Sequence, residues 1–314
     1  MKPIHAVFAL FLLLVLAGCA ASPVGSYQST AVSNSILNSE LALAARSYEG
    51  IDRNPVVIIH GFLGARLADP AGPVWGNFST ATFSDANLKA LGLPMEIGKP
   101  LAALVSPSVP AGILDDAEIR FAGFTFRQPG YGLAVDRLVK AGYVDGSRPL
   151  PRGRKHPNLF SFAYDWRRDL PESAAKLHEF LLEKRRYLQE LYEAEYGIRD
   201  YDVQFDLVAH SMGGLLARYY LMYGDQDLPH DPEKLPELDW RGCLMVDKLL
   251  VVGTPNDGYL DTFRELVEGL VLVPGAPRLP SGILATFPSY YQMLPGASGG
   301  TVAFELSGGA GLAA

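Results

Sequence analysis

The sequence predicts an α/β fold built on a doubly wound, mostly parallel sheet, and three observations carry that expectation. Four short runs are apolar and β-branched enough to be strands of a parallel sheet, the third with both faces covered by helices: the run opening Pro55-Val-Val-Ile-Ile-His60, Leu159-Phe-Ser-Phe162, Phe205-Asp-Leu-Val-Ala209 and Lys248-Leu-Leu-Val-Val-Gly253. Helical patterns separate them, as crossover connections between parallel strands require. The third strand runs straight into a helix through His-Ser-Met-Gly-Gly214, leaving room only for a tight turn at Ser211.

The totals bound the function. A chain of 314 residues and 34.0 kDa can bury a large core as one α/β domain with insertions. Net charge is −7 and the pI about 5.4, and the longest basic runs are Arg152-Gly-Arg-Lys155 and Lys184-Arg-Arg186. Nucleic acid is therefore excluded as an expected partner. Two cysteines occur, Cys19 and Cys243, and Cys243 is expected to be a small buried hydrophobe ahead of the last strand.

Residues 1–19 combine Lys2, an apolar core from Ala6 to Ala17 and the ending Leu16-Ala-Gly-Cys19. This is the pattern of a secretory signal, too short to remain as a spanning helix. The ending resembles the bacterial lipoprotein box, which implies lipidation of Cys19 and anchorage in the cell envelope. Ala20 and Ala21 after the cysteine imply the outer membrane. Residues 20–50 are rich in Ser and Ala and read as a tether with one short helix, Leu37 to Ser47. Its random-coil span is roughly 30 Å, enough to hold a folded domain, residues 51–314, beside a membrane surface.

Within that domain, residues 65–130 read as an irregular insertion with one hairpin, Glu118 to Phe126. A helix follows over Tyr131 to Gly142, with apolar residues at 135, 138 and 139. The strand at Leu159 ends in Tyr164-Asp-Trp-Arg167, where Asp165 is expected to form a structural ion pair with Arg167 or Arg168. Pro171 opens a helix to about Glu195 whose stripe of Leu177, Leu181, Leu188 and Leu191 faces the core. Asp225, Asp227, His230 and Asp231 lie in an acidic surface loop with no metal-site spacing, and no metal or cofactor is expected.

The chemistry concentrates at Ser211. A strand, a turn holding serine in a strained backbone, and a helix starting at once form a nucleophile elbow, here Ala209-His-Ser-Met-Gly213 with alanine at the first small position. The helix N-terminus favours negative charge beside the serine hydroxyl. The two oxyanion donors of such a site are the N–H after the nucleophile, Met212, and one from the loop after the first strand, for which Phe62 is the candidate. His60 and His210 read as structural, the first bonded to its own turn and the second pointing away from Ser211.

Taken in order, Val-Ile-Ile-His-Gly-Phe-Leu-Gly64, Tyr-Asp-Trp-Arg167, Ala-His-Ser-Met-Gly-Gly214, Gly253-Thr-Pro-Asn-Asp-Gly258 and Ser289-Tyr-Tyr-Gln-Met-Leu-Pro295 resemble the lecithin:cholesterol acyltransferase-like branch of the α/β-hydrolases. The resemblance spans roughly residues 53–296. It implies a lipase, phospholipase or acyltransferase acting on a lipid or other ester through an acyl-serine, with residues 259–300 as part of a cap over the acyl site. The family order is serine, acid, histidine. After Ser211 the one histidine is His230, which the elbow helix, rising about 1.5 Å per residue, should carry to the far end of the sheet. Asp257, or Asp261, could serve as an acid one strand early. No residue qualifies as the base, so the last strands, acid and histidine are expected to be absent, as in a truncated product. The alternative reading is a non-catalytic lipid-binding lipoprotein on the same fold.

Overall fold

The computed structural model describes residues 40–78, 82, 84–100, 103–121, 124–229, 231, 234–272 and 278–296. The segment expected to be a secretory signal, Cys19, most of the expected tether, His230 and residues 297–314 lie outside these. The chain divides into two units, residues 1–48 and 49–314. In the first, the helix Glu40–Ser47 matches the short helix expected in the tether, and Ser47 Oγ donates to the Ala44 carbonyl at 3.0 Å.

The second unit is organised by a four-stranded parallel sheet in the order β7-β1-β8-β9, formed by β1 (Val56–Ile59), β7 (Leu159–Phe162), β8 (Phe205–His210) and β9 (Val246–Val252). The crossover order explains the sequence pattern. β1 is central, pairing Val57 with Phe160 on one side and Leu207 on the other, and all four of its residues are buried. Val57, Ile59, Phe205, Leu207 and Ala209 face one layer, built from the helices Leu170–Tyr196 and Met212–Tyr223 through Leu177, Leu181, Leu188, Leu216 and Tyr220. Val56, Ile58 and Leu159 face the other, against Ile113 and Val135, the latter on the helix Gly132–Lys140. Alternate residues of each strand thus serve opposite layers, the physical content of a doubly wound sheet.

The long helix begins with Pro171 in its first turn and ends at Gly197, whose φ of 70° closes the last turn as its N–H reaches Glu193. The insertion is more ordered than its sequence suggests. β2 (Ala65–Asp69), β3 (Gly72–Trp75) and β4 (Val109–Ile113) make an antiparallel sheet in the order β3-β2-β4, and a helix covers Asp85–Leu91. The expected hairpin is present, from β5 (Asp116–Phe121) and β6 (Phe124–Pro129).

One expectation is corrected. Cys243 is exposed, because the chain enters β9 through a 3₁₀ turn, Arg241–Met245, that buries Gly242 and Met245 and turns the thiol outward. Among the described residues β9 forms an edge of the sheet, with Leu250, Val251 and Val252 all exposed. No helix among the described residues is long and apolar enough to cross a membrane.

The candidate active site

Ser211 sits between the end of β8 and the first turn of the helix Met212–Tyr223, with φ 53° and ψ −128°. A residue with a Cβ rarely occupies that backbone region, which costs on the order of 1–3 kcal/mol and persists only where the surroundings impose it. Here they do. The Ser211 N–H donates to the Val252 carbonyl at 2.8 Å, tying the turn to β9, and its own carbonyl accepts from Gly214 at 2.9 Å.

The following glycines are required by close approach. A Cβ on Gly213 would stand 2.4 Å from the His60 carbonyl oxygen and 2.9 Å from that of Ile59, so the elbow helix passes against the β1 backbone. A Cβ on Gly214 would meet Thr254 Oγ1 at 1.9 Å. That hydroxyl is buried and has no hydrogen-bond partner among the described residues. From the β1 side, Gly61 lies so near that a Cβ on it would reach Ser211 Cβ at 2.7 Å and Oγ at 3.2 Å.

The loop after β1 is fixed by aromatic packing. The Phe62 ring lies 5.0 Å from Trp166 and 4.9 Å from Tyr290. Trp166 Nε1 donates to the Ala65 carbonyl at 3.0 Å, and Ser289 Oγ donates to the Trp166 carbonyl at 2.6 Å. Leu63 has φ 64°, and its carbonyl accepts from Trp75 Nε1 at 3.0 Å. The backbone N–H groups of Phe62 and Met212 donate to no acceptor among the described residues. Ser211 and Met212 thus lie beside the loop that carries Gly61 and Phe62, at the carboxyl ends of β1 and β8, and Met212 is fully buried.

His60 is committed elsewhere. It is fully buried, stacked on Tyr164 at 4.2 Å, with Nδ1 donating to the Gly61 carbonyl at 2.8 Å and Nε2 accepting from the Tyr164 N–H at 3.1 Å. Burial pushes its pKa down from 6.5 to about 4. The unfolded chain therefore binds a proton near pH 6.5 that the folded chain refuses until about pH 4. The stability held above pH 6.5 falls through that window by roughly 3 kcal/mol, at 1.36 kcal/mol per pH unit. Denaturant midpoints measured at pH 7 and pH 4.5 should show the loss, and a His60→Gln variant that keeps the same pH dependence would contradict it.

The remaining expected residues separate. His210 is exposed, and its Nδ1 faces the Tyr131 hydroxyl at 2.7 Å. His156 pairs with Tyr196 at 2.9 Å and His178 with Tyr220 at 3.2 Å. Asp257 is exposed on the turn after β9, without a hydrogen-bond partner among the described residues. Ser211 Oγ likewise has none. Asp165 and Arg167 form the expected ion pair, Nε to Oδ1 at 2.9 Å and Nη2 to Oδ2 at 2.8 Å, and Arg167 also donates to the Leu91 carbonyl at 2.8 Å and the Ser108 carbonyl at 3.2 Å. It ties the insertion to the end of β7. Among the described residues no group of three His, Cys, Asp or Glu side chains could hold a metal.

Residues 130–305, which include this elbow, match the sequence profile described as lecithin:cholesterol acyltransferase. The chain belongs to the lecithin:cholesterol acyltransferase family. The match covers 176 of 314 residues (305 − 130 + 1), and the parallel sheet, the helices on its two faces and the elbow at Ser211 are the α/β-hydrolase fold. No curated protein matches it by sequence. Among solved structures it is similar to a chain in the crystal structure of the Tle4–Tli4 complex, at 16% identity and a TM-score of 0.46, over 78% of this chain and 55% of that one. It thus spans about half the length of that matched chain.

Tyr131 and Gly61 were missed as parts of this site. Tyr131 opens a helix 79 positions before His210 in sequence, and no local pattern links them.

Proposed function

We propose that this member of the lecithin:cholesterol acyltransferase family cleaves or transfers the acyl group of a lipid ester through Ser211. The observation that carries the reading is a serine held at φ 53° at a helix N-terminus, with the unpaired N–H groups of Phe62 and Met212 from the two loops beside it. Ser211 Oγ bonds to the ester carbonyl carbon and gives up its proton to a base. The carbonyl oxygen gains the negative charge and is held by those two N–H groups. Collapse breaks the bond to the alkoxy group, which leaves as the alcohol after taking a proton, and the acyl-serine passes its acyl group to water or an acceptor alcohol. The base is not identified among the described residues, whose four histidines are engaged as described above.

Incubation with a fluorophosphonate tests the reading. Labelling at Ser211 that vanishes in Ser211→Ala is expected, and an unlabelled protein would sink it. One observation favours a second reading: with Ser211 Oγ lacking any partner among the described residues, a lipid-binding protein on this fold needs no base. That reading expects lipid-vesicle binding to persist in Ser211→Ala without any labelling of the parent chain.

The protein is further proposed to be held at the bacterial envelope, in the outer membrane, by lipidation of Cys19, on the support of Leu16-Ala-Gly-Cys19. Cys19→Ser should move the protein from the membrane fraction to the soluble one. Retention in the membrane fraction would overturn the anchor.

A further inference from the structure

A tyrosine distant in sequence joins the two loops that flank Ser211. The Gly61 N–H donates to the Tyr131 hydroxyl at 2.7 Å, and the same hydroxyl lies 2.7 Å from His210 Nδ1. Because Tyr131 Oη accepts from Gly61, its own proton is free to go to His210, which directs the chain of bonds from the β1 loop to the residue preceding Ser211. Burial raises the Tyr131 pKa above that of an ordinary phenol, and the partial desolvation of the His210 ring, whose outer edge is exposed, lowers its pKa below that of an ordinary imidazole. At neutral pH the phenol therefore keeps its proton and the imidazole is open to receive it.

The tyrosine is itself anchored. Its N–H donates to the Leu114 carbonyl at 3.0 Å, and the Leu114 N–H donates back to the Gly64 carbonyl at 2.8 Å. Its ring packs so tightly on Gly64 that a Cβ there would stand 2.8 Å from Tyr131 Cε2. Gly61 and Gly64 bracket Phe62, and the Gly64 N–H closes the turn on the Gly61 carbonyl at 3.1 Å. The phenol thus touches both ends of the short loop whose Phe62 N–H is the candidate oxyanion donor.

We propose that Tyr131 is a positioning residue for the acyl-transfer centre, fixing the Phe62 N–H relative to Ser211 by bonding Gly61 and His210 together. The inference rests on the reading of Ser211 given above, and its role is distinct from that of a group touching substrate. A displacement of about 1 Å at such a centre costs as much as a hundredfold in rate.

Tyr131→Phe keeps the ring and removes the hydroxyl. Two readouts on the full chain decide the matter: deuterium exchange in the peptide containing Gly61 and Phe62, and the second-order rate of fluorophosphonate labelling at Ser211. Faster exchange with labelling slowed at least about tenfold, at an unchanged thermal midpoint, is the expected result. His210→Ala, which leaves Gly61 its acceptor, should slow labelling less than Tyr131→Phe. Labelling at the parent rate in Tyr131→Phe overturns the proposal whatever the exchange shows. If the parent chain is not labelled at all, the acyl-serine reading fails separately. The exchange then decides the tether by itself, with unchanged protection counting against it and lost protection supporting it.

Discussion

Arg167→Ala is expected to destabilise the protein by about 3–5 kcal/mol, the range found when one partner of a buried ion pair is removed. Arg167 is fully buried and Asp165 nearly so, and truncating the guanidinium strands the carboxylate. It also strips the Leu91 and Ser108 carbonyls of their donor, adding unsatisfied acceptors at the seam between insertion and sheet. For a domain of this size the thermal midpoint should fall by roughly 10 °C. Arg167→Lys keeps the charge without the planar fork that meets both carboxylate oxygens, so it should recover only part of the loss. A midpoint within about 2 °C of the parent for Arg167→Ala would show the pair to be dispensable.

Gly213→Ala should cost about 3 kcal/mol or more, the upper end of the overpacking range. The new methyl has nowhere to go, since its neighbours at 2.4 and 2.9 Å are carbonyl oxygens of β1 and not the tip of a mobile side chain. The elbow helix must then back away from β1, carrying Ser211 and the Met212 N–H from the Phe62 loop. Labelling by a fluorophosphonate should accordingly fall together with the denaturant midpoint. An alanine variant with parent stability and parent labelling would mean that the helix and strand are not held at this distance in solution.

The elbow was legible because every feature that makes it is local. Phe205 to Tyr219 contains the strand, the forced turn, the two glycines of close approach and the helix, and β8 and the helix Met212–Tyr223 follow that reading closely. The same holds for the ion pair at Asp165 and for His60, whose role follows from a buried strand end. The insertion was not legible because its strands carry residues that weaken a strand pattern, Gly72 and Pro73 in β3 and Pro110 and Gly112 in β4, which an edge position tolerates. Cys243 failed for another reason. An apolar run looks the same whether or not anything covers it, and burial there is decided by what packs alongside. Tyr131 depends wholly on the fold, which closes a gap of 70 residues to Gly61.

The Arg167 seam also sets an order of events during synthesis. Its carbonyl acceptors at Leu91 and Ser108 leave the ribosome 76 and 59 residues before the guanidinium that satisfies them. At translation rates of about 5–20 residues per second, Ser108 waits roughly 3–12 s for its donor. During that interval the insertion can form its own antiparallel sheet but cannot be locked to the central one, because β7 and the Asp165–Arg167 fork do not yet exist. Docking of insertion and sheet is therefore a late, long-range closure of the chain, which leaves the seam open to chaperones and to misassembly until Arg167 has emerged.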